Sequence, residues 1–244
     1  MRSFRVLFGR ELSGGLFSFW TYLFLGIVAA VTAYWFRKYL VFSGHDISWA
    51  LVKLYDWPLS FFIVILPPML TMRLFADEKR TGSLELVMTA PVGDLALVLS
   101  KVAAAFVLFM LFLVPIWLAL AMLAWIFGSP PDWGQVAAYT IGVSSLGLLF
   151  TTLGVFASAL SNHAVYAGLL ALFGETALMY VRTLTRVIDP DSRAFRVLSY
   201  VDVDLHTRTA IGGVIDIRHV VMQLTLSCLF VFWTHRALET RRWL

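Results

Sequence analysis

Charge and cysteine are both scarce in this chain of 244 residues. Only 14% of its residues are Asp, Glu, Lys or Arg, against about 25% in soluble domains, so too little charge is present to coat a water-facing surface. A single cysteine, Cys228, excludes a disulfide framework within the chain and a cysteine-ligated zinc site. No internal repeat and no low-complexity linker divides the sequence, and one domain over residues 1–244 is expected. A G-x-x-x-x-G-K-[ST] phosphate loop is also missing. Gly142 and Gly147 have the glycine spacing, but Leu148 and Leu149 follow them inside an apolar run, which cannot cradle a nucleotide. No Ser-His-Asp or Cys-His set points to nucleophilic catalysis, so no catalytic residue is assigned. His45, His163, His219 and His235 stand alone, and no metal site is assigned.

Apolar residues fill the space that charge leaves: they make up 60% of the chain, and the mean hydropathy is +0.82. The excess has to face lipid. A net charge of +4 and a pI near 9.4 come without any basic block, which favours anionic membrane surfaces over nucleic acid. A helix crossing the hydrocarbon layer needs about 20 apolar residues. Six stretches qualify, at about 16–36, 57–75, 102–127, 137–160, 164–181 and 218–235, which makes the expected fold an all-α membrane protein of six transmembrane helices. Pro67-Pro68 is expected to break the second span, and Pro115 falls inside the third, where neighbouring helices can satisfy the freed backbone.

Ahead of the first span, Phe4, Leu7, Phe8 and Leu12 recur at helical spacing while Arg2, Arg5 and Arg10 fall largely elsewhere. That is the pattern of a helix lying in the headgroup plane. The apolar run that follows continues past the cleavage-like Val31-Thr32-Ala33 to Phe36, which argues against a cleaved signal peptide. Charge alone does not orient the bundle. With both termini inside, ten of the 19 Lys and Arg lie inside and nine outside, no decisive bias.

The linker between spans two and three departs most from plain membrane filler. Asp77, Glu78, Lys79 and Arg80 carry the second helix out of the membrane, and Gly82 permits a sharp break. Ser83 to Thr89 then reads as a helix of about two turns with Leu84, Val87 and Met88 on one side, ended by Pro91. Span four carries Thr140, Ser144, Gly147, Thr151, Gly154 and Ser158 at spacings of 4, 3, 4, 3 and 4, a small-residue seam that lets helix backbones approach. Packing within the chain and packing against a partner subunit both fit that spacing. Leu153, off the seam, is expected in looser surroundings. Glu175 is the one acid well inside a span and is a candidate transport-path residue, with an interhelical hydrogen-bonding role as its alternative. Asp202, Asp204 and His206 alternate, so on an extended segment they would share a face as weak metal-ligand candidates.

The run Phe75-Ala-Asp-Glu-Lys-Arg-Thr-Gly-Ser-Leu-Glu-Leu-Val-Met-Thr-Ala-Pro91 resembles the coupling segment of type-2 ABC exporter permeases of bacteria. Gly213-Val-Ile-Asp-Ile-Arg-His-Val-Val221 and Ala237-Leu-Glu-Thr-Arg-Arg-Trp243 extend the resemblance toward the gliding-motility and copper-site-maturation branch. The resemblance implies a cytoplasmic coupling helix between spans two and three, both termini in the cytoplasm, and short external helices between spans five and six, near residues 188–214. It implies that Glu78, Arg80, Gly82, Ser83, Leu84, Glu85, Val87 and Met88 meet an ABC ATPase subunit, which would hold ATP and Mg; no cofactor is expected on this chain. A second permease subunit, identical or related, membrane lipid and an envelope or periplasmic component complete the expected partners, in the bacterial inner membrane. The function implied is the permease subunit of an exporter, not an enzyme. Two other readings stay open: a mechanical transducer that moves no solute, and a membrane-embedded enzyme using Glu175 or the Asp202 cluster.

Overall fold

A computed structural model describes the backbone of residues 2–44, 46–89, 93–127, 131–185, 187–189 and 192–241, without the side chains of residues 2–3, 87–88, 123–127, 184 and 241. Among the described residues every regular element is helical. Six helical stretches are long and apolar enough to cross a membrane: Phe19–Phe42, Ile47–Arg80, Asp94–Met122, Trp133–Leu160, Ala164–Thr183 and Ile217–Thr240. His45, Pro91 and Trp243, singled out in the sequence, lie outside the described residues.

Helix α1 (Arg2–Leu16) precedes the first span, α2 (Phe19–Phe42). It packs along the third span, with Leu7 buried and Gly15 pressed against Leu108. The second span starts as α3 (Ile47–Leu54), capped by the Asp46 carboxylate, which accepts from the Trp49 amide at 3.1 Å. It loosens into a wide turn at Tyr55–Leu59 and resumes as α4 (Ser60–Thr71). The break therefore falls at Pro58 and again after Thr71, and α4 runs through Pro67-Pro68, where a break was expected. Both prolines are buried, so packed neighbours hold the helix where their missing N–H groups weaken it.

Two short helices follow, α5 (Ala76–Arg80) and α6 (Ser83–Thr89). The third span is α7 (Asp94–Leu111) and α8 (Val114–Phe127), stepping at Phe112-Leu113, just before Pro115. The fourth, α9 (Trp133–Leu160), is capped by Asp132 and occupies the centre of the bundle: 78% of its apolar window is buried, against 22% for the first, fifth and sixth spans. The fifth span, α10 (Ala164–Met179), leads into three short helices, α11 (Val181–Thr185), α12 (Arg193–Tyr200) and α13 (Val203–Ile211). Helix α14 (Ile217–Arg241) is the last span. Helices α4, α7, α10, α13 and α14 all pack on α9. Tyr139, Val143, Leu146 and Phe150 of α9 meet Phe109 of α7 and Ile63 of α4 in the main core.

Candidate functional site

At one end of the bundle, α5 and α6 form a knuckle whose fold follows from two residues. Gly82 sits at φ +72 with open space around its α-carbon, so the backbone conformation and not crowding requires glycine there. Ser158, the last residue of the span-four seam, accepts hydrogen bonds from the Phe75 and Ala76 amides at 3.0 and 3.2 Å and donates to the Met72 carbonyl at 3.1 Å. It thus satisfies backbone groups that the break after α4 leaves open. Lys79 donates to the Ala159 carbonyl and, at 3.4 Å, to that of Ser161. The knuckle is pinned to the end of the central helix.

A buried charge network pins it from the other side. The Lys101 side chain on α7 is 1% exposed, with Nζ 3.0 Å from Glu11, 2.9 Å from Glu78 and 2.8 Å from the Leu74 carbonyl. It also lies 5.1 Å from the centre of the Phe75 ring. Arg10 closes the set, 2.6 Å from Glu11 and 2.8 Å from Glu78. Two cations and two carboxylates balance, as buried charge must. Burial opposes ionisation of Glu11, yet the Lys101 ammonium and the Arg10 guanidinium hold its carboxyl below the ordinary range. Hydrogen bonding to Glu11 raises Arg10 in turn. These contacts tie α1, α5 and the start of the third span together.

This geometry sorts the residues implied to meet an ATPase. Glu78 is engaged inside the chain, and Leu84 is buried in a cluster with Leu7, Phe75, Val98, Val155 and Leu238. Arg80, Gly82 and Glu85 are exposed and Ser83 partly so, and the side chains of Val87 and Met88 lie outside the described residues. Leu86, which the sequence reading did not single out, is 74% exposed. An exposed leucine between Glu85 and the buried face gives α6 an outward surface that is apolar as well as charged.

The other seam residues pack within the chain as well. Thr140 accepts from the Trp117 indole at 3.1 Å, and Ser144 lies 3.3 Å from the Met110 sulfur. A β-carbon on Gly147 would overlap the Phe109 ring, and one on Gly154 the Thr71 hydroxyl. Thr151 is buried and donates to the Leu148 carbonyl at 2.9 Å. Leu153 is buried as well, against Ala157 and Ala171, which corrects the looser surroundings expected for it. Glu175 shares one face of α10 with Ala167 and Ala171 and is wholly buried; neither carboxyl oxygen has a hydrogen-bond partner among the described residues.

Charges gather again at the opposite end. Asp204 of α13 accepts from the Tyr55 hydroxyl at 3.2 Å, from Arg182 at 3.2 Å and from Arg208 Nε at 2.8 Å. Arg208 also pairs with Asp56, which lies 3.0 Å from Lys53. Asp202, Asp204 and His206 do not share a face, because Val203–Ile211 is a helix and not an extended segment. Asp202 caps it, accepting from the Leu205 amide at 2.9 Å, and burial raises its carboxyl. His206 stacks on His219 at 3.7 Å between ring centres; burial and that second imidazole lower it to about 4. Among the described residues no three His, Cys, Asp or Glu side chains gather to hold a metal ion.

The six-span helical bundle, with its knuckle between the second and third spans, can be set beside known proteins. No curated protein matches the sequence. A family profile described as "ABC-2 family transporter protein" matches residues 58–200, more than half of the chain. That stretch begins at Pro58 of the second span and ends at Tyr200 of α12. The chain is thus a multi-pass membrane protein that belongs to the ABC-2 family of transporter proteins, as a membrane permease subunit whose family implies an ATPase partner.

Proposed function

We propose that this permease is the membrane half of an exporter in the bacterial inner membrane, with α6 as its coupling helix, and that the exposed face of the knuckle, Arg80 of α5 with Glu85 and Leu86 of α6, docks on a separate ATPase subunit that binds ATP and Mg. One observation carries the reading: the knuckle of α5 and α6, exposed on one side, is fastened on the other to three spans and to α1, α5 through Ser158, Lys79 and the Glu78–Lys101 pair and α6 through Leu84. A push on α6 therefore reaches spans two, three and four together. The absence of a phosphate loop in the sequence supports a separate source of ATP hydrolysis. On this reading both termini and α6 are cytoplasmic, α11 to α13 are external, and two permease subunits with two ATPase subunits form the working unit. The likeness to the gliding-motility and copper-site-maturation branch rests on residues 73–91, 213–221 and 237–243 alone, and a mechanical transducer without solute flux uses the same coupling geometry.

Two experiments test this. In a variant with Cys228 replaced by alanine, cysteine at Ser83 is expected to be shielded from a membrane-impermeant maleimide in intact cells and cysteine at Ser192 to react; the reverse pattern would refute the orientation. Glu85→Ala and Leu86→Ala should leave the spans inserted while ATPase recruitment and permease-stimulated hydrolysis fall. Unchanged recruitment and stimulation in both would remove α6 from the coupling role.

A further inference from the structure

Helix α13 is held on one side by ion pairs and on the other by two stacked rings. The His206 and His219 imidazoles lie 3.7 Å apart at their centres and 11° from parallel, one on α13 and the other in the first turn of α14. His206 is 5% exposed, and its Nδ1 is buried with no hydrogen-bond partner among the described residues. Gly142 and Ser145 of α9, with Asp216 and Gln223, line the space beside the rings, which amounts to about 10 Å³, the lower limit for a single water. A β-carbon on Gly142 would overlap Ala210, so α13 and α9 meet there without slack.

The surrounding charges give a proton on His206 little to pair with. Asp216 is the one carboxylate lining that space. It accepts from the Arg218 amide and guanidinium at 2.9 and 3.3 Å and lies 3.9 Å from Nε2 of His219. Asp204 and Arg208 stand two residues to either side of His206, about 200° round the helix, where they join Tyr55, Asp56 and Arg182, with Lys53 on Asp56. Asp202 is occupied in capping the start of α13. Glu175, the one acid of α10, and the side chains of α3 and α11 do not line the space. Both nitrogens of an imidazolium donate, so protonation would put an N–H at Nδ1 where no acceptor waits and a positive charge against the second ring. Burial and His219 outweigh Asp216 and lower His206 from its ordinary 6.5 to about 4.

We propose that the His206–His219 stack is a proton-operated latch, which holds this side of α13 against α9 and the start of α14 near neutral pH and releases it in mild acid about the exposed joint at 212–215. Release lets water reach the ring and returns it to its ordinary affinity for protons. By linkage, the fraction of chains with the latch open then rises about 30-fold between pH 7.5 and 5.0. On the orientation proposed above, the latch answers to the pH outside the cytoplasm. The release itself is a property of the chain alone and needs neither that orientation nor an ATPase.

The test is hydrogen exchange of the detergent-purified full chain, read by mass spectrometry on peptides covering residues 203–213, with rates corrected for the intrinsic effect of pH. Protection of α13 is expected to fall about 30-fold from pH 7.5 to 5.0, while peptides of α9 keep theirs. His206→Phe keeps a flat ring on His219 but takes no proton, and should hold α13 protected at both pH values. His206→Gln, which removes the ring, should give α13 the same protection at both. Arg208→Gln loosens the ion-paired side without removing a group that titrates in this window, and should lower protection at both pH values while the ratio between them persists. Equal protection of α13 at the two pH values in the unaltered chain would overturn the proposal, as would a fall in both His206 variants as large as in the unaltered chain.

Discussion

The two ends of the bundle hold ion-pair networks of similar make-up that differ in the burial of the central cation. Around α5, Lys101 is 1% exposed, and its partners Glu11 and Glu78 are 15% and 16% exposed. Around α13, Arg208 is 35% exposed and Arg182 34%. Coulomb attraction grows as water withdraws, and so does the cost of leaving one partner behind. The first network is therefore a rigid fastening. The second is a set of contacts that water and salt loosen.

The sharpest way to break this contrast is Lys101→Met. It leaves Arg10 alone against the largely buried Glu11 and Glu78 carboxylates, one charge uncompensated, and should cost about 3–5 kcal/mol, read as a fall in the melting temperature of the detergent-purified chain. Adding Glu11→Gln alone should restore much of the loss, since Arg10 and Glu78 then balance. Gly154→Ala comes next. Its β-carbon overlaps the Thr71 hydroxyl, and a cost of about 1–3 kcal/mol is expected, relieved by Thr71→Ala. Equal stability of Gly154→Ala and the unaltered chain would show that α4 and α9 do not approach closely there. Arg208→Gln sits at the bottom of the scale, at about 1 kcal/mol or less, because Arg208 is 35% exposed and Asp204 keeps Arg182 and the Tyr55 hydroxyl as partners. A loss from Arg208→Gln as large as that from Lys101→Met would erase the distinction between the two ends.

Acid should weaken what His206 and Glu11 contribute, while Asp202, whose buried carboxyl is raised, works in the opposite sense at the α13 end. His206 is lowered to about 4 from an ordinary value of 6.5, so the unfolded chain binds more protons between those values, and stability falls as pH drops through that window. Glu11 is held below its ordinary range; its contribution is present above that range and is lost as pH falls through its lowered value. His206→Gln should flatten the dependence of the melting temperature between pH 6.5 and 4, and an unaltered slope would show that the stacked imidazoles carry no proton-linked stability. Inside the membrane, Glu175→Gln keeps size and most hydrogen-bonding capacity while abolishing ionisation. We expect normal assembly with altered ATP-coupled turnover, and normal turnover across pH 6 to 9 would assign Glu175 a structural role.

The spans were legible because lipid solvation demands long apolar runs, and the knuckle because Gly82 punctuates a charged stretch. What stayed hidden depended on distance along the chain. Lys101 looked like a flank of span three; its partners lie at Glu11, far ahead of it, and at Glu78, which reads in sequence as an outward charge. A lone lysine at the head of an apolar run, with Glu11 the only acid ahead of the first span, was the available signal. Pro67-Pro68 misled because local rules for proline ignore the packing that holds α4 together. The alternation of Asp202, Asp204 and His206 misled because it presupposed a strand, whereas Asp202 caps a helix.

Whether the outward face of α6 meets the ATPase can be measured most directly by covalent capture. A photo-reactive amino acid placed at Leu86, and separately at Val197 of α12, which is 65% exposed at the far end, would be irradiated in intact cells and the adducts identified by mass spectrometry. The expected result is an adduct at Leu86 with a polypeptide that carries a phosphate loop, and none such at Val197. Capture of that polypeptide from Val197, with none from Leu86, would contradict both the coupling role of α6 and the orientation of the bundle.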